Sequence, residues 1–197
     1  DGAWRFTTWQ WVPSSFAGTS YFILLNQYDA ATSSYAWATQ VRFDGASGVV
    51  ADDVGGETLA LLKDQWVEIS VIMDLDSDHE WFYYGGDLLY EGPWTWTGGP
   101  TSLAAVDLFA NSSTSVFYDD LSLESVAAPK INEFSASTTG TDVEYVEFFG
   151  SPTFDYDGYT LLEIEGDYSA GGQMGVVDEV SGLGTTDGSG FHLMNLL

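Results

Sequence analysis

Short runs in which apolar and polar residues alternate set the strongest limit on how this chain can fold. In WVEISVIMDL (66–75) every second residue from Val67 to Met73 is apolar, and similar runs recur between clusters of Gly, Asp, Ser and Thr. Alternation with a period of two residues is typical of β-strands, and the period of a helix is nearly absent. The sequence therefore predicts an all-β protein.

The number and spacing of these runs predict two sandwiches. Eight strands are expected in the first part of the chain, at residues 4–12, 20–28, 36–43, 58–62, 66–75, 80–86, 104–110 and 115–126. Antiparallel strands at this spacing favour a two-sheet jelly-roll β-sandwich. Four more strands are expected at residues 130–137, 143–150, 159–167 and 173–180, followed by a loop or tail at 181–190.

A proline-containing joint separates the two parts. AAPK (127–130) follows one completed strand and precedes another, which predicts a linker between a domain at 1–126 and a smaller domain at 131–197. The abrupt start DGAWRF and the end FHLMNLL predict a processed or partial chain, with the second domain incomplete.

The charge balance excludes two classes of partner. The chain of 197 residues has four basic residues against 30 acidic ones, a formal net charge of −26. Without a basic patch it cannot bind nucleic-acid phosphate by releasing counterions, and it is repelled by anionic membranes. No apolar run approaches the ~20 residues that span a bilayer, so membrane insertion is not expected. Solubility and an affinity for divalent cations are expected instead.

The absence of cysteine excludes several kinds of site. With no cysteine in the chain, disulfides, thiolate metal sites and cysteine nucleophiles are ruled out. This composition is compatible with a protein secreted by a bacterium or displayed on its surface.

Residues 1–126 resemble a known family. YFILLNQYD, WATQVRF, DQWVEISVIMDLDSDHEWFYYGGDLL and AAVDLFANSSTSVFYDDLSL are similar to the concanavalin A-like lectin/glucanase (laminin-G-like) jelly-roll family. The W-V-E-I-x-V strand, the acidic hairpin turn, the aromatic strand that ends in Gly85-Gly86, and the closing YDDLSL strand carry the resemblance.

Residues 130–190 resemble bacterial lamin-tail-like immunoglobulin-type domains. The carriers are INEF, TDVEYVEFFG, GYTLLEIEGD and GVVDEV, which cover part of such a domain. Both resemblances imply secreted or surface-exposed multidomain bacterial proteins, and neither implies a particular activity.

Candidate catalytic carboxylates are few. Retaining glycosidases of the jelly-roll type carry acids at alternate positions of one strand, which places two carboxyls ~5–5.5 Å apart. The two nearest strings both lie in the second domain. In DVEYVE (142–147) the acids are in a permuted order, and in EIEGD (163–167) Gly166 breaks the strand. Their acids are Asp142, Glu144, Glu147, Glu163, Glu165 and Asp167. No catalytic residue is therefore predicted, and a glycoside hydrolase is the minor alternative.

Two acidic stretches are candidate calcium sites. Asp74, Asp76 and Asp78 have the spacing of the first three EF-hand ligands, but His79 and Gly85 occupy the positions that need Gly and Glu. The stretch is interpreted as a hairpin turn, with a metal-assisted turn as the alternative. Asp119 and Asp120 in YDDLSL form the second candidate for a structural Ca²⁺.

Aromatic residues are the candidate ligand-binding groups. Trp94 and Trp96 lie between Gly and Pro residues, so a loop that exposes them is expected, with burial over a sheet edge as the alternative. Trp81 and Tyr83 share one face of their strand, and Phe82 and Tyr84 share the other. One of these faces must be core, and Trp81 and Tyr83 are assigned to the binding surface. Trp66 leads an apolar strand and is expected in the core.

Taken together, these features predict a non-catalytic extracellular or cell-surface module for binding or adhesion. A glycan or other surface polymer is the expected ligand, with Ca²⁺ supporting the loops. Two alternatives remain: a structural subunit of a surface layer or filament that associates through open β-edges, and an accessory region of a secreted hydrolase or nuclease.

Overall fold

The computed structural model describes residues 2–135, 145–164 and 176–195, and these residues form strands and loops with no helix. The predicted all-β class is therefore confirmed. Across the described residues no helix is long and apolar enough to cross a membrane. The chain divides into two compact units, Asp1–Val126 and Ala127–Leu197.

In the described part of the first unit, ten strands form two antiparallel sheets. The front sheet has the order β10-β1-β6-β7-β8 and the back sheet has the order β5-β4-β3-β2-β9. The strands are β1 (Ala3–Trp11), β2 (Thr19–Asp29), β3 (Ser34–Asp44), β4 (Val49–Asp52), β5 (Thr58–Ala60), β6 (Trp66–Asp74), β7 (His79–Tyr84), β8 (Asp87–Gly92), β9 (Ala105–Asn111) and β10 (Phe117–Val126).

Two strands of this unit were not predicted. β4 (VVAD) shows no alternation of apolar and polar residues, and it pairs with β3. β8 begins directly after Gly85 and Gly86, which have φ angles of 61° and 89°. These glycines were predicted as the end of a strand, whereas they form the tight turn of a hairpin between β7 and β8.

The core lies between the two sheets. The Phe22 ring of the back sheet contacts Phe6 at 5.7 Å and Phe82 at 5.9 Å between centroids, and both of those rings belong to the front sheet. Phe43 and Tyr84 make a further contact across the sheets at 5.9 Å. The two sheets thus pack face to face around aromatic side chains that are removed from water, the main source of stability in such a fold.

Aspartates organise many of the turns that join the strands. In six places a carboxylate accepts a hydrogen bond of 2.8–3.0 Å from the backbone N–H two residues later. The six residues are Asp29, Asp44, Asp52, Asp74, Asp155 and Asp187. A short carboxylate side chain reproduces a backbone turn in this way, so part of the acidic composition serves turn formation.

In the described residues of the second unit, five strands form two antiparallel sheets. β11 (Lys130–Ser135), β12 (Tyr145–Phe149) and β15 (Phe191–Asn195) form a sheet in that order, and β13 (Thr160–Ile164) pairs with β14 (Val176–Ser181). β15 was not predicted, because FHLMN was interpreted as part of a truncated end. The preceding segment is held by backbone hydrogen bonds, including Asp187 N–H to Phe191 O at 2.7 Å.

Candidate functional site

The acidic stretch 74–78 forms the turn of the β6–β7 hairpin, as the turn interpretation predicted. The Asp74 carboxylate accepts hydrogen bonds from the N–H groups of Asp76 (3.0 Å) and Ser77 (3.2 Å). Partial burial opposes ionisation of Asp74, but the hydrogen bonds from Ser77 and Asp76 outweigh it and lower its pKa. The carboxylate is therefore stabilised as an anion within the turn itself.

The other two acids of this turn bind different parts of the chain. Asp76 Oδ1 accepts a hydrogen bond of 3.0 Å from Gly2 N–H. The Asp78 carboxylate accepts two from Thr95, one from its N–H at 2.9 Å and one from its hydroxyl at 2.8 Å. The three carboxylates are thus used to fasten three separate segments.

The calcium prediction receives no support from the described residues. None of their His, Asp and Glu side chains are grouped in threes or more in a way that can hold a metal ion. Asp119 Oδ1 accepts a hydrogen bond of 2.9 Å from Asp120 N–H, and both side chains are exposed at a β-bulge of β10. Ca²⁺ stays a prediction.

Of the candidate catalytic acids, only the Glu147 side chain is described. It is half-buried on β12 and accepts a hydrogen bond of 2.5 Å from Asn132 Nδ2 on the neighbouring strand β11. This is the arrangement of a polar residue that faces outward from a sheet. Asp142, Glu144, Glu165, Asp167 and the side chain of Glu163 lie outside the described residues.

Trp94 is buried, as the second interpretation of its loop predicted, and its assignment to a ligand-binding surface is wrong. Its side chain is fully buried in the core of the first unit, and its indole N–H donates to Ser102 O at 3.2 Å. Trp96 is half-buried, and its indole N–H donates to Ala38 O of the back sheet. The loop folds back over the sheets, and each indole N–H has a backbone acceptor there. Because its side chain is fully removed from solvent, Trp94 is not a ligand-binding residue.

Trp81 and Tyr83 face away from the core, as predicted. Along β7 burial alternates, with Phe82 and Tyr84 buried and Trp81 and Tyr83 half-buried. The ring of Trp81 packs on His79 with 4.4 Å between centroids. Both residues therefore lie on the outer face of the front sheet.

The same outer face carries a row of three aromatic side chains. Trp66 of β6, Trp11 of β1 and Phe117 of β10 are direct cross-strand partners. Trp66 is 44% exposed and Phe117 52% exposed, and Trp66 meets Trp11 edge to face with centroids 5.8 Å apart. Because neighbouring strands are about 4.8 Å apart, the row extends over about 10 Å.

The next row alternates acid, aromatic and acid. Trp9, 40% exposed, has Glu68 as its partner on one side and Asp119 on the other. We call the surface formed by Trp9, Trp11, Trp66, Phe117, Glu68 and Asp119 the tryptophan face. It contains a shallow depression of about 530 Å³ lined by Trp11, Trp66, Phe117 and Asp119, among others.

A row of hydroxyl groups continues this surface. Thr7 of β1 has Ser70 and Ser122 as cross-strand partners, and its hydroxyl lies 2.7 Å from that of Ser122. Tyr83 of β7 is the next partner, beside Ser70. Flat aromatic rings therefore adjoin carboxylates and hydroxyls on one side of a rigid sheet.

The placement of Trp66 corrects the sequence interpretation. It was expected in the core, but β6 buries Val67, Ile69, Val71 and Met73 and turns Trp66 outward. The alternation of β6 contained this signal, since Trp66 shares its parity with the polar residues of the strand. Phe117 was not singled out, because apolar and polar residues do not alternate strictly along β10 (FYDDLSLESV).

Comparison with known proteins adds no assignment. No protein-family model matches the chain, and no curated protein matches its sequence.

Proposed function

We propose that the first unit is a non-catalytic glycan-binding module of an extracellular or cell-surface protein, and that the tryptophan face holds the glycan. The aromatic row Trp66–Trp11–Phe117 carries the proposal. Exposed aromatic rings on a rigid sheet provide large contact area at a low entropic cost, and the faces of sugar rings present C–H groups that pack on them.

The polar groups of the tryptophan face fit the same ligand. Glu68 and Asp119 flank Trp9, and carboxylates accept hydrogen bonds from sugar hydroxyls. The net charge of −26 disfavours anionic polymers, because a like charge near a binding surface opposes association. A neutral glycan is therefore the proposed ligand. Localisation outside the cell is proposed with this function and accords with the absence of cysteine.

A glycan array with neutral and anionic oligosaccharides tests this proposal. We expect neutral oligosaccharides on the array to retain the unaltered protein. The Trp66→Ala and Phe117→Ala variants are expected to be retained about tenfold less or weaker still. Phe134→Ala is the matched control, since Phe134 is an exposed aromatic residue, 68% exposed, on β11 of the second unit. Equal retention by all four proteins, or no retention of any oligosaccharide by the unaltered protein, contradicts the proposal.

Self-association is a second candidate function, favoured by the edge strands β9 and β10. Leu108 pairs with Phe22, and Leu123 pairs with Phe6, so both leucines face the core side of their sheets. They are nevertheless 42% and 47% exposed. Exposed apolar residues on edge strands favour pairing with another copy. Sedimentation at increasing concentration tests this, and a monomer at every concentration refutes it.

A further inference from the structure

The outer face of the back sheet carries a cleft that the tryptophan face does not include. Ile23 of β2 forms its floor, Trp37 of β3 and Phe109 of β9 stand beside it, and its volume is about 320 Å³. Ligand pockets are typically about 300–1,000 Å³, so the cleft has room for a small ligand or the end of a longer one.

The burial of Ile23 shows that this cleft is built by its walls. Phe22 and Leu24 are fully buried in the core, so the side chain of Ile23 between them points to the opposite, outer face. It is nevertheless only 6% exposed, whereas Trp37 and Phe109 are 38% and 47% exposed. Large aromatic side chains thus rise around an apolar floor and keep part of their own surface in contact with solvent.

Polar groups flank this floor on both sides. Gln40 of β3 and Asp107 of β9 are the direct cross-strand partners of Ile23. Gln40 Nε2 donates to Asp53 at 3.3 Å, and Arg42 Nε lies 3.4 Å from the same carboxylate. The carboxamide of Gln40 is therefore oriented by a neighbouring ion pair, and the carboxylate of Asp107 supplies acceptors on the other side.

These features select the ligand class. Aromatic walls accept the apolar face of a ring, while a carboxamide and a carboxylate bond to hydroxyl groups at its edge. The cation beside the cleft, Arg42, is paired with Asp53, so an anionic ligand meets no free positive charge there. A neutral, hydroxyl-rich ring fits this combination.

We propose that the cleft is a second saccharide site, and that the first unit binds glycan on two opposite faces. The choice of ligand class rests on the proposed glycan function, whereas the location and geometry of the cleft do not. Because the two sheets pack through their inner faces, one module can connect two glycan chains, a property that suits adhesion.

Cross-linking of glycan-coated beads tests the proposal. Two fluorescent bead populations are both coated with the neutral oligosaccharide that binds the protein best on the array, and they are mixed with the protein. Retention of the protein on single beads is measured in parallel. The unaltered protein is expected to join the two populations. Trp66→Ala and Trp37→Ala are each expected to keep only the weaker single-bead retention that one remaining site provides and to reduce cross-linking about tenfold. The double variant is expected to lose retention altogether.

The outcomes separate the two proposals. Cross-linking by Trp37→Ala at the level of the unaltered protein overturns the second site and leaves the tryptophan face standing. If Trp37→Ala loses all single-bead retention while Trp66→Ala is retained as well as the unaltered protein, the tryptophan face is refuted and the cleft is supported. If Trp37→Ala fails to fold, Asp107→Asn replaces it in the test, because the amide keeps the shape of the side chain. This variant is also expected to weaken cross-linking. A melting temperature close to that of the unaltered protein confirms folding of each variant.

Discussion

Ionisation of one buried carboxyl group should make the stability of the first unit depend on pH. Glu80 of β7 is fully buried between the sheets, where Oε2 accepts a hydrogen bond from the Thr39 hydroxyl of β3. Its other oxygen, Oε1, is buried with no hydrogen-bond partner among the described residues. Burial raises the pKa of Glu80 to about 8; the Thr39 hydrogen bond opposes this rise and the nearby Asp52 charge adds to it.

The sign and size of the effect follow from that pKa. Glu80 has an ordinary pKa of 4.5 in the unfolded chain and about 8 in the folded protein, so between these values the folded protein binds more protons. The free energy of unfolding is therefore highest below the lower pKa and falls as the pH rises towards the higher one. At about 1.4 kcal/mol for each pH unit, the loss is about 5 kcal/mol.

Glu80→Gln isolates this contribution, because the amide keeps the shape of the side chain and does not ionise. Urea unfolding followed by tryptophan fluorescence at about pH 5 to 9 gives the free energy for both proteins. All eight tryptophans lie between residues 4 and 96, so the signal reports the first unit alone. Because part of the span below pH 5 is not sampled, we expect the unaltered protein to lose about 4 kcal/mol relative to Glu80→Gln over this range.

Glu91→Gln is the matched control. Glu91 lies on the adjacent strand β8, is exposed, and its substitution removes the same formal charge. The difference between this variant and the unaltered protein should stay nearly constant with pH. If the difference for Glu80→Gln also stays within about 1 kcal/mol from pH 5 to 9, Glu80 is not held neutral by burial and the reasoning is refuted.

Three further predictions follow from the turns. Asp78→Ala should lower the free energy of unfolding by about 1–3 kcal/mol, because it leaves the two donors of Thr95 unpaired. Asp87→Ala, at an exposed position, should change the free energy of unfolding little, and equal effects of the two variants contradict the prediction. Gly18→Ala should destabilise more than Gly86→Ala in the same urea assay: both have φ above 80°, but a Cβ on Gly18 would lie 2.2 Å from a backbone oxygen, and one on Gly86 meets nothing within 4 Å. If Ca²⁺ binds the folded protein, EDTA should lower the melting temperature, and an unchanged value removes the calcium prediction.

Local patterns made a large part of this fold predictable. The alternation in residues 66–75 and the acidic turn after it specify a hairpin, because strand periodicity and turn chemistry are properties of a few neighbouring residues. The structure places β6 and β7 there, joined at residues 75–78. The strand class of most other segments was predictable for the same reason.

What the sequence left open is which face of a strand meets the second sheet. Both faces of β7 carry aromatic residues, so alternation alone does not choose between Phe82 with Tyr84 and Trp81 with Tyr83. In the structure Phe82 packs against Phe22, so the face with Phe82 and Tyr84 is the buried one. Glu80 is buried as well, because alternate residues of a strand share a face.

The two candidate surfaces depend on the same kind of decision. Whether Trp94 is buried and Trp66 exposed is settled by how β-strands distant in sequence stack, since each side chain is covered or left open by residues on other strands. The sequence by itself therefore determined an acidic, cysteine-free β-protein with Asp-rich turns. Only the tertiary structure decided which aromatic side chains form its core and which face solvent, because burial is a property of the packed sheets and not of any single strand.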